Sequence, residues 1–528
     1  MVDIKTFLYQ KDQFEKIKDY NFGSNWPVVY ISENQKEAYI GETITAYKRS
    51  KQHYQNAERR KLKNIHIITD EEFNKSASLD IESWLIQYMS ADGKFVLQNG
   101  NEGLKNHNYY DREKYRAKFE IAWEKLRKIG LVKNDLNHLH NSDLFKYSPY
   151  KSLNDEQYSV ANSIIADIES GLNNSFIVKG KPGTGKTILA TYLCKYLKEH
   201  EKTKDLEIAL VVPMVSLRKT IKKVFKNVKN LKTSMVIGPS DVAKKSFDLV
   251  IVDEAHRLKR RKSITHYGAY DQTNRKLKLD NDADQLDWIK STSKYQIFLY
   301  DKNQSIRPSD VREQKFTDLN AKVYELSTQM RMDGGKEFIE FIEDLFEVNC
   351  PQLPELNKYT FKHFKSIDDL VSEIKRKDSE VGLSRVVAGY AWPWHTKGKN
   401  SDKDYDIEIG ETKLVWNSTA HDWVNSPNAI NEVGCIHTIQ GYDLNYVGVI
   451  IGPELKFNNE TQEFYIDKDH YFDANGHAGV SDPKELKRYI VNIYKTLCTR
   501  GIKGLYIYAV DPSVQNYIDE AIDIIKEL

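Results

Sequence analysis

The chain has 528 residues, room for three or four domains with separate cores, and no apolar run approaches a membrane span. Charged residues make up 29% but net charge is only +2, so a nucleic-acid surface has to be local, as in Glu58-Arg-Arg-Lys-Leu-Lys63 or Arg257-Leu-Lys-Arg-Arg-Lys262. Cys194, Cys350, Cys435 and Cys498 have no paired spacing, which argues against zinc and for a reducing compartment: a soluble, cytoplasmic protein without a membrane partner.

In chain order, a charged lead-in reads as helical. Val28-Val-Tyr-Ile-Ser32 and Glu37-Ala-Tyr-Ile-Gly41 then flank a polar turn and predict a β-hairpin. Thr45 to His53 predicts a helix with Arg49 and His53 on one face, Asn64 to Ile68 a strand, and Leu79 to Tyr88 a helix carrying Glu82. The fragment ends at Val96-Leu-Gln-Asn99.

This order resembles the GIY-YIG nucleases: a tyrosine in the first strand, Tyr-Ile-Gly at 39–41, an arginine eight residues on, a helical glutamate and a later asparagine. The first motif departs from the pattern, being Val-Val-Tyr. The resemblance implies that Tyr30 and Tyr39 handle the proton of an attacking water and that Arg49 stabilises the phosphorane. Glu82 would hold one divalent cation, Mg²⁺ or Mn²⁺, and Asn99 would order the site. A small α/β domain with core tyrosines is the plain alternative. Residues 111–150 are lysine-rich and helical and read as a connector or a small helical subdomain.

From Ser152 onward, apolar β-rich runs end in polar residues and are followed by helices, the pattern of an open parallel sheet with ligands at the strand ends. Gly180-Lys-Pro-Gly-Thr-Gly-Lys-Thr187 lies between a strand-like run and a helical one, so Gly180, Lys181, Pro182, Gly183, Thr184 and Gly185 predict a backbone cradle for the phosphates of a nucleoside triphosphate. Lys186 would reach the β and γ phosphates, and Thr187 would ligate Mg²⁺. Asp253 and Glu254 emerge from a buried apolar strand, Asp253 to hold Mg²⁺ through water and Glu254 to orient or deprotonate the hydrolytic water. Gln304 suits a γ-phosphate sensor, Gln157 either reads adenine or caps its helix, and Arg331 and Arg500 are candidate arginine fingers.

A second set of strands carries Ala388-Gly-Tyr-Ala-Trp-Pro-Trp394, His437-Thr-Ile-Gln-Gly441 and Thr499-Arg-Gly501. Together with Gln329-Met-Arg331, these motifs resemble superfamily 1 helicases, and more closely the Schlafen-type branch. The resemblance implies two RecA-like domains, ATP, Mg²⁺ and a single-strand track, with Gln440 and Gly441 at the nucleotide. Trp392, Trp394 and Trp416 either stack bases on that track or belong to the core. The polar stretch 458–483 reads as an inserted hairpin or loop of undisclosed role.

The expected fold class is α/β: a small GIY-YIG-like domain (1–110), a connector (111–150) and doubly wound parallel sheets at 151–332 and 333–528. The expected function is an ATP-dependent helicase or translocase fused to a metal-dependent nuclease. It would act on nucleic acid, DNA ahead of RNA, in defence or repair, with room for self-association or partner proteins. The rivals are a remodelling ATPase whose nuclease fold only binds, and a P-loop switch that does not translocate.

Overall fold

The computed structural model describes residues 1–100, 111–397, 404–419, 422–439 and 441–523. They divide into two compact units, one of Met1–Gly171, Thr187–Leu206 and Thr220–Val236, the other of Leu172–Lys186, Glu207–Lys219 and Ile237–Leu528.

The first unit carries a five-stranded sheet of β1 (Asp3–Leu8), β2 (Val28–Glu33), β3 (Glu37–Thr43), β4 (Asn64–Thr69) and β5 (Val96–Leu97), ordered β1-β4-β2-β3-β5. The expected helical lead-in opens instead with β1, a strand paired antiparallel with β4, and turns α-helical only at Phe14–Lys18. As an edge strand with mostly exposed side chains it lacks the apolar run by which a buried strand is recognised. The expected hairpin forms, with Tyr30 opposite Gly41 and Ser32 opposite Tyr39. Its tight turn holds Gln35 at φ 62°.

Helix Lys75–Asp92 starts at the Asn74 cap, whose side chain accepts from the Ala77 N–H, and stops at Gly93, φ 64°. Helix Arg112–Lys128 buries Tyr115, Phe119, Ala122, Trp123 and Leu126 at helical spacing. Phe119 meets Trp84 edge-on, ring centres 5.5 Å apart, so the lysine-rich segment packs on the helix that covers the five-stranded sheet. Helix Lys186–Glu199 contributes Lys195, which is fully buried, pairs with Glu199, sits 4.7 Å over the Tyr150 ring and donates to the Asn99 carbonyl at 3.4 Å.

The second unit contains two further sheets. The first has β6 (Ser175–Gly180), β7 (Ile208–Val211), β8 (Val236–Ile237), β9 (Phe247–Val252), β10 (Ser293–Tyr300) and β11 (Lys322–Leu326), ordered β11-β6-β10-β9-β7-β8. Its pairings β11–β6, β6–β10, β10–β9 and β9–β7 are all parallel. Strands covered on both faces need apolar side chains throughout, hence Leu249-Val-Ile-Val252, which is buried end to end. Val250, Val252, Trp288, Phe298 and Phe316 share one core. Each such side chain contributes roughly 1.5–3 kcal/mol of burial.

The second sheet has β12 (Thr360–His363), β13 (Ser384–Ala388), β14 (Ile407–Ile409), β15 (Thr412–Trp416), β16 (Glu432–Cys435), β17 (Leu444–Ile451) and β20 (Gly501–Ala509), ordered β12-β20-β17-β13-β16-β15-β14. It is parallel except for the β14–β15 edge. The inserted stretch contributes β19 (Glu463–Ile466), which forms an antiparallel hairpin with β18 (Leu455–Asn458) just ahead of it.

Candidate functional site

The loop leaving β6 bends where glycine is required. Gly183 and Gly185 have φ of 86° and 77°, a region costly for residues with a Cβ. A Cβ on Gly183 would come within 2.0 Å of Gln329 Oε1, and one on Gly180 within 2.5 Å of Thr184 Oγ1. Thr184 Oγ1 donates to the Lys181 carbonyl at 3.0 Å. The buried Lys186 reaches back across the loop, Nζ donating to the carbonyls of Gly180 (2.6 Å) and Lys181 (3.1 Å). Gln329 is stitched to the loop as well: its Nε2 donates to the Pro182 carbonyl at 2.7 Å, and Met330 N donates to the Gly183 carbonyl at 3.0 Å. Lys181 Nζ pairs with Glu343 at 2.6 Å. Thr187 follows as the second residue of the helix.

Asp253, fully buried, and Glu254 stand at the end of β9. Glu254 has φ 52°, backbone strain of about 1–3 kcal/mol that such sites tolerate. Burial pushes the Glu254 carboxyl up, but His256, with Nε2 at 2.9 Å from Oε2, and the charges of Lys186 and Arg500 together hold it well below the usual carboxylate range. Glu254 is therefore an anion at neutral pH.

Arg500, on the second sheet's side, is 1% exposed, and its Nη2 donates to Gln304 Oε1 at 2.9 Å. Gln304 Nε2 in turn donates to Asp301 Oδ2 at 2.8 Å, at the end of β10. Arg331 pairs with Asp443 at 2.7 Å, and its backbone N donates to Gln329 Oε1 at 2.7 Å. The predicted Lys186, Glu254, Gln304 and Arg500 thus belong to one electrostatic neighbourhood, with Arg331 tied to the same loop through Gln329.

In the first unit the predicted tyrosines converge: the rings of Tyr30 and Tyr39 are 6.2 Å apart. A Cβ on Gly41 would lie 2.4 Å from the Tyr30 hydroxyl, so glycine here is what lets the ring cross the strand. Burial pushes the Tyr30 hydroxyl pKa well up, against the pull of Arg49. Burial and then Glu42 push Glu82 up to about 7, against Lys75 and Arg49. Asn99 grips the β3 backbone at both ends of its amide, Oδ1 accepting from Ile40 N at 3.1 Å and Nδ2 donating to Ile40 O at 2.8 Å.

The sequence assigns no role to three further residues of this cluster. His53 Nδ1 lies 3.2 Å from the Tyr30 hydroxyl, and burial, Arg59 and Arg49 lower its pKa to about 3. Glu42 pairs with Lys75, and the Arg59 guanidinium lies 3.9 Å over the Tyr39 ring. Arg59 stands in plain view in the basic run, where nothing marks it off from a solvated lysine or arginine. Among the described residues no group of three His, Cys, Asp or Glu side chains is arranged to hold a metal.

Residues 173–511, more than half of the chain, match the family described as Schlafen group 3, DNA/RNA helicase domain. The chain belongs to this family. An uncharacterized protein of Saccharomyces cerevisiae is 23% identical over 426 residues, covering 69% of this chain and 90% of its own length. Among solved structures, the chain is similar to the arterivirus nonstructural protein 10 helicase (14% identity, 67% of this chain, 64% of that chain, TM-score 0.30). It is also similar to the Pif1 helicase from Bacteroides, solved with ADP-AlF3 and single-stranded DNA (12% identity, 67% of this chain, 91% of that chain, TM-score 0.29).

Within the Schlafen helicase domain some expectations move. Trp416 is buried, stacked on Tyr390 with ring centres 5.6 Å apart, and Trp392 packs against it, so both are core and present no stacking platform. Proline-rich tryptophan motifs look alike whether they form a lid or a core. Trp394 packs at the edge of that core. Gln157, in the first unit, forms a capping box with Asn154, the second of the two roles open to it. Gly441, φ 90°, faces Met214 and Leu217, and Gln440 lies outside the described residues.

In the Arg257 to Lys262 run two cations are spent on ion pairs, Arg257 with Asp310 and Arg261 with Asp271, and Arg260 Nε donates to the Pro308 carbonyl. Arg307 joins His437 (2.6 Å) and Asp473 (2.9 Å), bringing three distant segments together by contacts that no local pattern announces. No helix among the described residues is long and apolar enough to cross a membrane.

Proposed function

We propose that this Schlafen-family helicase domain is an ATP-driven motor on a nucleic-acid strand, and that the N-terminal cluster is a single-metal phosphodiester nuclease. The observation that supports the motor best is the Arg500–Gln304–Asp301 chain beside the Glu254 anion, because it brings a cation from the second sheet to the ends of β9 and β10 in the first. The loop geometry fits a triphosphate: Gly183 and Gly185 take the positive φ that a phosphate-cradling glycine loop uses, and Lys186 Nζ is held across the loop by the Gly180 and Lys181 carbonyls. Thr187 and Asp253 are the residues that would hold Mg²⁺, which when bound neutralises phosphate charge.

Glu254, kept ionised, orients the attacking water and accepts its hydrogen bond. With so low a proton affinity it contributes more by orientation than by full deprotonation. Arg500 supplies positive charge to the transferring phosphoryl, and Gln304 relays the change to the second sheet through the bond they share.

In the N-terminal cluster Glu82 would hold the divalent cation, which when bound offsets charge on the scissile phosphate. Tyr30 stays a neutral hydroxyl next to His53, Arg49 faces both tyrosines to meet phosphate charge, and Asn99 fixes the strand that carries Tyr39. Restriction of foreign nucleic acid or repair is the biological setting that such a fusion suits.

The test is ATP turnover and strand cleavage on one panel of single-stranded, duplex and forked DNA and RNA. Lys186→Ala is expected to lower turnover by about 10²–10⁴-fold, and Glu82→Ala to lower cleavage by about 10³-fold while turnover stays within twofold. Absence of cleavage on every substrate refutes the nuclease, and turnover indifferent to all of them refutes the motor.

A further inference from the structure

The hairpin β18–β19 has no part in the nucleotide chemistry, yet it walls a large groove of the second unit, about 1180 Å³. Gln462 to Ile466 form one side. Lys484, Arg488 and Asn492 of helix Pro483–Cys498 form another, and the Lys302–Ser305 turn and Arg312 close a third. The hairpin is anchored to the rest of the unit by Phe457 N, which donates to Ser513 Oγ at 3.1 Å, and closed at its own base by Lys456, which pairs with Asp467 at 2.9 Å.

Charge on this groove is unbalanced. Among the described residues Lys302, Arg312, Lys468, Lys484 and Arg488 line it without an ion-pair partner. The acidic side chains on it are mostly engaged, Asp310 by Arg257, Glu347 by Lys495, Glu463 by Lys487, and Glu485 by the Tyr489 hydroxyl, which leaves Glu313. Tyr465, 48% exposed, stands on the hairpin side, and Phe464, Phe346 and Tyr489 lie deeper. Spaced cations with an exposed aromatic suit a sugar–phosphate chain carrying bases better than a small anion, which would need one convergent pocket.

The groove also touches the nucleotide machinery. Its Lys302–Ser305 side carries Gln304, Asn492 Nδ2 donates to the Ser305 carbonyl at 3.0 Å, and Asn303 Nδ2 donates to Glu343, the residue that pairs with Lys181 of the loop.

We propose that this groove binds the backbone of a single nucleic-acid strand, with the inserted hairpin as its outer wall and Tyr465 as a stacking face. The proposal rests on the strand-motor reading above and adds to it a place and the side chains that would hold the strand. A strand lying there would press on the turn that presents Gln304 to Arg500.

The experiment uses the full chain and fluorescein-labelled dT20 and rU20, titrated by anisotropy over a series of NaCl concentrations, with inorganic tripolyphosphate as competitor and thermal melting to verify folding. For Lys484→Ala/Arg488→Ala the expected result is about tenfold weaker binding at about 0.1 M salt, and a slope of log K against log[salt] reduced by about 0.7 for each phosphate the variant leaves unneutralised. Tyr465→Ala is expected to weaken binding roughly 5- to 100-fold with the slope unchanged, the signature of a missing stacking face.

Wild-type binding with both variants unchanged overturns the groove and leaves the motor standing. Tripolyphosphate that displaces the strand at equal charge, with Tyr465→Ala silent, overturns it in favour of a free polyanion. Failure of wild type to bind either strand overturns the groove and the motor reading together.

Discussion

In the loop after β6 the chain works mainly with its backbone, turning at Gly183 and Gly185 and adding one lysine that folds back on two carbonyls. The tyrosine cluster is built from side chains instead, brought from two strands, two helices and the segment after β5 and held by the double grip of Asn99 on Ile40. The first design is contiguous, so it tolerates change elsewhere and fails at single loop positions. The second depends on each element keeping its register, so packing errors reach the chemistry.

Arg500 offers the largest expected effect with which to break that contrast. Arg500→Lys keeps a charge but loses the fork that reaches Gln304 Oε1, and turnover should drop by about 10²-fold with KM for ATP little changed. Steady-state kinetics would show this, and an unchanged kcat would remove Arg500 from the reaction. Gly41→Ala sharpens the other side: the new methyl meets the Tyr30 hydroxyl, and the overpacked strand should lose about 1–3 kcal/mol and most cleavage, with ATP turnover retained. Calorimetry and the cleavage assay together would reveal a tolerated alanine.

A smaller effect is expected from His53. Its folded pKa, about 3, lies below the ordinary 6.5, so the unfolded chain takes up the proton first and stability falls as pH drops below about 6.5. By pH 5 the loss should be about 2 kcal/mol, and His53→Phe should abolish that part of the pH dependence of melting. Identical pH profiles for the two proteins would place the imidazole in water.

The same contrast governs what can be read from residues alone. Strands buried on both faces announce themselves as apolar runs, and Asp253-Glu254 or Gln304 stand out at their ends because a buried strand must account for every polar group it ends on. Edge strands such as β1, β12 and β14 carry mixed side chains and escape that logic. Arg307, His437 and Asp473 meet only in three dimensions, and Glu42 and Arg59 gain meaning only from Lys75 and the Tyr39 ring. Trp416 is ambiguous in the sequence because its aromatic neighbours serve a core as readily as a ligand.

Lys195 carries a practical consequence for anyone dissecting the chain. It sits nine positions into the helix that opens with the phosphate-loop lysine, yet its ammonium is sealed among Tyr150, Glu199 and the Asn99 carbonyl. Scissors placed between the N-terminal sheet and the helicase-family sequence, at residue 150 for instance, would strip Tyr150 of its cation and Asn99 of a donor. A fragment bearing only the tyrosine cluster would therefore be an amputation, and inactivity of such a fragment would say nothing about the cluster in the whole chain.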